Sequence, residues 1–239
     1  MEKHSIWQNL LLFGAGTAIL AAVYFGDPEI AWQFAREDGA VENLTALAYL
    51  FGMLACVWAI YTGRHVRMAI VWLVLCFVFL GEEVSWFQRI LGYSVPAVEA
   101  INAQGEFNLH NLGDGAPFLS ETGQFSFAFE KLLYSQNLYR AGFFVFFLII
   151  PVAVLVSSRV RAFMNWWHYL RPSNSFLLAV WSVITISFVL TAISPELTRN
   201  SIAEFREFYW AFAIFLYTWM LAAPFRSSDF AWSGHARPV

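Results

Sequence analysis

Two adjacent carboxylates, Glu82 and Glu83, close a long uncharged run from Met68 to Gly81. Further along, Asn102, Gln104, Glu106, Asn108 and His110 alternate with Ala103, Gly105, Phe107 and Leu109. An extended backbone sends alternate side chains to opposite faces, so this comb presents its polar groups together. In a helix, Glu106 and His110 still meet as an i, i+4 pair. A carboxylate beside an imidazole exchanges protons as general acid and base. Joined by Glu83, the same pair offers oxygen and nitrogen donors to a divalent metal such as Zn²⁺ or Fe²⁺. The expected catalytic set is therefore Glu82, Glu83, Glu106 and His110, with Glu83, Glu106 and His110 as metal ligands. Gln104 and Asn108 support it from the loop. The plainer reading of the comb is a polar loop whose amides satisfy its own backbone.

If the helix continues past the glutamate pair, Glu82, Ser85, Trp86 and Arg89 share one face, and Glu83, Phe87 and Ile90 lie about a quarter turn away. Glu82 then reaches Arg89 only across two turns. A carboxylate after so long an apolar run is expected to be paired, protonated or bound to metal. Salt bridges to Arg89, Arg140 or Arg206 are the structural alternative. Glu42, one turn into another apolar run, and Glu207, three residues after Glu204, are expected to complete the shell, although acids are also at home near the positive end of a helix. Asp38 suits the N-cap before Glu42.

These residues need apolar elements to position them. The 239-residue chain is 59% hydrophobic, 19% aromatic and 13% charged, against about 25% charged in soluble domains. Stretches near 6–25, 40–62, 66–86, 138–157, 175–194 and 208–225 reach the roughly 20 apolar residues that a bilayer crossing needs. The expected fold is all-α: one membrane domain over residues 1–239, with about six transmembrane helices and an ordered extracytoplasmic loop over 87–137. Asp27 to Gly39 reads as an outer connection containing a short interfacial helix with Trp32 at headgroup level. Met1-Glu2-Lys3-His4 is a weak basic start, and the segment after it reads as an uncleaved signal anchor. Cys56 and Cys76 fall inside spans, which excludes a disulfide framework and CxxC metal spacing.

Short loops rich in Lys and Arg stay in the cytoplasm. Lys3, Arg64, Arg67, Arg159, Arg161, Arg171, Arg226 and Arg237 fall in one set of short segments, which predicts both termini inside. All of the 17 acids except Glu2 and Asp229 then lie on the outer side. His168, in Trp166-Trp167-His168-Tyr169, reads as part of an interfacial aromatic belt, and His4, His65 and His235 carry no ligand spacing. Glycine-rich phosphate loops, GxSxG and HExxH are absent from the sequence, and nucleic acid is not an expected partner. The expected location is a bacterial inner membrane, with the site facing outward.

The pair Glu82-Glu83 followed by Arg89 resembles the glutamate motif of CPBP-type intramembrane proteases, in which EExxxR is completed by FxxxH and a later histidine. Here Phe87 stands at the arginine position, Arg89 comes two residues later, and Phe107 precedes His110 by three residues. The likeness covers one helix and a fragment of loop, and implies peptide hydrolysis inside the membrane.

Several functions follow from these residues. The leading expectation is a membrane enzyme with a Glu/His site at the outer face, hydrolysing or transferring a group on a lipid or lipid-linked substrate, with or without a metal. The alternatives are a non-catalytic subunit or assembly factor docking a partner protein, a CPBP-like protease, and a proton- or cation-coupled transporter. The transporter reading lacks a ladder of ionisable groups across the inner half.

Overall fold

The computed structural model describes residues 2–36, 39–99, 107–108 and 135–223. Among them every element is helical: α1 (Glu2–Phe25), α2 (Pro28–Ala35), α3 (Ala40–Tyr61), α4 (Val66–Glu83), α5 (Gln88–Leu91), α6 (Pro96–Glu99), α7 (Ser135–Phe144), α8 (Ile150–Val156), α9 (Ser158–Trp166), α10 (Asn174–Ile193) and α11 (Glu196–Ala222). Packing groups the chain into two compact units, Met1–Cys76 with Ala162–Val239, and Phe77–Arg161.

The first unit is built around α11, which packs along α3 and also touches α1, α2 and α10. The buried side of α3 is rich in small residues, with Val41, Thr45 and Tyr49 buried towards its start. Ala48, Gly52, Ala55, Cys56 and Ala59 are buried, while Leu47, Leu50, Phe51, Leu54, Val57 and Trp58 of the same helix are exposed. A helix in water does the opposite. Small residues let two backbones approach, and the large apolar side chains face outward, as helices in lipid do. A Cβ on Gly52 would stand 3.2 Å from Cys76 Sγ and 3.4 Å from Thr218 Oγ1. Gly16 gives α1 the same closeness, since a Cβ there would lie 2.8 Å from the Tyr209 ring and 3.0 Å from both Val183 methyls.

By length and composition, Pro28–Tyr61, Asn137–Val156 and Asn174–Ile193 are long and apolar enough to cross a membrane. The other expected spans, over 6–25, 66–86 and 208–225, are not among these three. The apolar part of α1 is the shorter Leu12–Phe25. Helix α4 stops at Glu83, where a span to Trp86 was expected, and holds Arg67 besides the two glutamates. Helix α11 begins at Glu196, well before the expected Phe208, and carries Arg199, Glu204, Arg206 and Glu207 in its first half. Of these, Arg206 is buried, Glu204 and Glu207 are half-buried and Arg199 is exposed.

Asp27 caps α2, accepting from Glu29 N at 2.9 Å and Ile30 N at 3.4 Å, and Pro28 occupies the first helical position, where a missing N–H costs nothing. Gly39, not Asp38, is the N-cap of α3, without a side-chain bond; Asp38 itself lies outside the described residues.

In the second unit the helix expected over 138–157 is present but irregular. Between α7 and α8, Val145–Ile149 widens into a π-helical turn, with Ile150 N–H bonded to Val145 O. Pro151 follows immediately and is buried. Proline lacks the N–H that Phe147 O would otherwise receive, and its ring presses on that carbonyl; a wider turn relieves the clash. Val145, Ile149, Val152 and Leu155 are exposed, giving this segment an apolar outer face as well.

Candidate functional site: the turn that ends α4

Helix α4 does not fade out; it is broken. Val84 N still bonds Leu80 O at 3.1 Å, but Ser85, Trp86 and Phe87 take φ values of 46°, 52° and 63°. Trp86 and Phe87 have ψ of 33° and 19°, so the chain makes a short left-handed turn before resuming as α5. An L-residue in this region brings its Cβ against a carbonyl at about 1–2 kcal/mol. Three such non-glycine residues in succession therefore store about 3–6 kcal/mol. Strain of this kind persists only where the surroundings over-determine it, and it concentrates at functional sites.

The surroundings are specific. Trp86 folds back on α4, its Nε1 donating to the buried Glu82 Oε1 at 2.8 Å. Its ring lies so close to Gly81 that a Cβ there would sit 2.9 Å from Cε3, and it meets Phe77 edge-on at 5.9 Å. Tyr93 OH donates to Trp86 O at 2.9 Å. The loop is fastened from its middle: Asn108 Nδ2 donates to Ser85 Oγ at 3.1 Å, with both residues buried. Phe107 N donates to Gln88 Oε1 at 2.6 Å, while the Phe107 ring packs edge-on against Tyr93 at 5.8 Å.

The expected site residues are thus partly assembled. Glu82 and Asn108 are both held to the left-handed turn, and Glu83, half-buried, follows Glu82 at the end of α4. The continuous helical face expected for Glu82, Ser85, Trp86 and Arg89 does not exist. The turn keeps the Glu82–Trp86 contact and places Arg89 on α5, beyond the break. Gln104, Glu106 and His110 lie outside the described residues. Among the described residues, no group of three His, Cys, Asp or Glu side chains could hold a metal.

Glu42 and Glu207 belong to the other unit. Glu42 is half-buried in the first turn of α3, where the helix N-terminus favours a carboxylate. Glu204 and Glu207 stand well inside α11, so the helix-end explanation expected for them passes to Glu196. Between them is Arg206, a buried residue whose packing the sequence did not announce. Its guanidinium lies 4.2 Å from the Phe188 ring centroid and 5.8 Å from that of Trp210, and its Nη1 donates to Thr191 Oγ1 at 3.1 Å. It borders a cavity of about 20 Å³ with Gly16, Leu20, Val183, Ser187 and Tyr209. That is room for one water and too little for a substrate.

Sequence reasoning also missed Gly81, Gln88 and Tyr93. The one available signal was a glycine directly before a charged pair, where a close approach is needed. Compared with known proteins, the chain matches no family model, no curated protein and no solved structure.

Proposed function

We propose that this chain is an integral-membrane enzyme whose acid/base group is the Glu82–Glu83 pair, acting on a lipid or lipid-linked substrate. The observation that carries the reading is the strained turn at Ser85–Phe87, which holds the buried Glu82 on one side and Asn108 on the other. Glu106 directly precedes the anchored Phe107, and His110 follows Asn108 by two positions. The imidazole and the carboxylates are therefore chain neighbours of the same fastening point, and proton transfer between them is the chemistry we assign. Glu83 takes the proton of a water or hydroxyl whose oxygen attacks the substrate, protonated His110 gives its proton to the group whose bond breaks, and passage of the proton from Glu83 to His110 restores both.

The topology that goes with this reading has six crossings, adding α1, α4 and α11 to the three apolar helices, with both termini cytoplasmic and the site outward in a bacterial inner membrane. The outward Leu, Phe and Val side chains of α3 and α10 support membrane embedding, and the arginine-rich short segments support the orientation.

Comparative lipid analysis tests the function. Membranes making the wild type are compared with membranes making Glu83→Gln or His110→Ala at equal protein level. A lipid species that changes with wild type and in neither variant supports the proposal. Identical profiles in all three and in cells without the protein overturn it.

A further inference from the structure

The end of the first unit opposite the Glu196 start of α11 carries a different chemistry. Here the turn between α3 and α4 is tied to its neighbours by arginine and histidine. Arg64 Nη1 donates to Ala222 O at 3.3 Å, the last residue of α11, and His65 Nδ1 lies 2.8 Å from His168 O. Arg67 donates through Nη1 to Trp166 O, and its guanidinium covers the Trp166 ring at 4.3 Å. That pair is not buried: Arg67 is exposed, Trp166 is 57% exposed, and Phe163, one turn earlier in α9, is 60% exposed. Arg171 is half-buried at the same end and bonds Asn174 Oδ1 through Nη2 at 2.6 Å. Burial holds the Tyr169 phenol above its ordinary value, with Arg171 pulling it partly back, so it remains a neutral hydroxyl.

Two features give this surface a partner. The first is charge: residues 62–76 and 162–195 of the first unit contain Arg64, Arg67 and Arg171 but no Asp or Glu. The second is the arrangement of the exposed side chains. An exposed guanidinium on an exposed indole, beside an exposed phenyl, puts a phosphate-binding group at the level where aromatic rings sit in a bilayer interface.

We propose that Arg67, Arg171, Phe163 and Trp166 form a surface that binds the phosphate headgroups of anionic phospholipids in the adjoining leaflet. The aromatic rings seat among the upper acyl carbons, and the guanidinium groups face the phosphates. The proposal rests on the membrane embedding proposed above but not on the Glu82–Glu83 chemistry, which belongs to the other unit.

The test is the association of spin-labelled phosphatidylglycerol and phosphatidylcholine with the purified full chain in mixed vesicles, read as the motionally restricted fraction of each lipid. Wild type should prefer phosphatidylglycerol severalfold. The preference should fall about twofold for each of Arg67→Gln and Arg171→Gln, towards equal restriction of the two lipids, survive in Arg67→Lys, and shrink in wild type at 0.5 M salt. Inorganic phosphate at 10 mM should leave it unchanged, and Arg140→Gln, in the other unit, should do the same. Equal restriction of both lipids by wild type overturns the headgroup surface while leaving membrane embedding in place. Displacement by inorganic phosphate, or an equal loss in Arg140→Gln, also overturns it. If neither lipid is restricted, the membrane reading itself falls.

Discussion

The Trp86 indole donates to Glu82 at the end of α4, and this makes single substitutions informative. Trp86→Phe keeps the ring against Gly81 but removes the N–H that Glu82 accepts. Losing a hydrogen bond to a buried carboxyl group should cost about 1–3 kcal/mol, read as a lower thermal midpoint in lipid nanodiscs; an unchanged midpoint would show that the indole contributes nothing there. Gly81→Ala probes the same contact from the other side. Its Cβ would stand 2.9 Å from the Trp86 ring, so about 1–3 kcal/mol of overpacking is expected. Phe87→Gly should run against the usual rule for replacing a large residue. At φ 63° the phenyl-bearing residue is strained and the ring is 41% exposed. Relief of about 1–2 kcal/mol should offset the entropy cost of glycine, about 0.5–1 kcal/mol. Stability equal to or above wild type is the expected outcome, and a clear loss would mean that the ring, not the turn, matters.

At the level of elements, the α3–α11 seam depends on the absence of side-chain bulk. Gly52→Val would push into Cys76 and Thr218 and should destabilise by about 1–3 kcal/mol, whereas Leu54→Val on the exposed face of the same helix should change little. Thermal unfolding of both variants checks the contrast, and equal effects would contradict the seam. The π-helical turn before α8 has a local cause in Pro151, so Pro151→Ala should return Val145–Ile149 to α-helical geometry. Carbonyl chemical shifts at these residues would report the change. A π turn that survives the substitution would place its cause in tertiary packing.

For the whole molecule the decisive question is sidedness. Cys56 and Cys76 are fully buried, so they should give little background to labelling by a membrane-impermeant maleimide. Glu29→Cys, at an exposed position of α2, should be labelled from outside in intact cells. Asn165→Cys, at an exposed position of α9, should be labelled only after permeabilisation. The reverse pattern would invert the topology and move the proposed site to the cytoplasmic face.

Helical class and apolar length were legible in the chain alone, because a run of about 20 apolar residues leaves the backbone few ways to satisfy its own polar groups except by helix formation. The short α2 was expected from its aromatic and apolar residues, Trp32 among them, whereas the Asp27 cap and Pro28 that start it emerged only in the structure. The glutamate pair was visible as an anomaly of type in an apolar setting. What a helical wheel could not show was the left-handed turn after it. That turn depends on Gly81 accepting the Trp86 ring and on Tyr93 and Asn108 bonding from later in the chain. Nothing in Val84-Ser85-Trp86-Phe87 favours positive φ, and local preference alone would have continued the helix. The buried Arg206 is a parallel case, since its tolerance comes from Phe188, Thr191 and Trp210 around it. Local periodicity and capping are written in adjacent residues. Strain and buried charge persist only when distant segments supply the compensating contacts, and those are decided by tertiary structure.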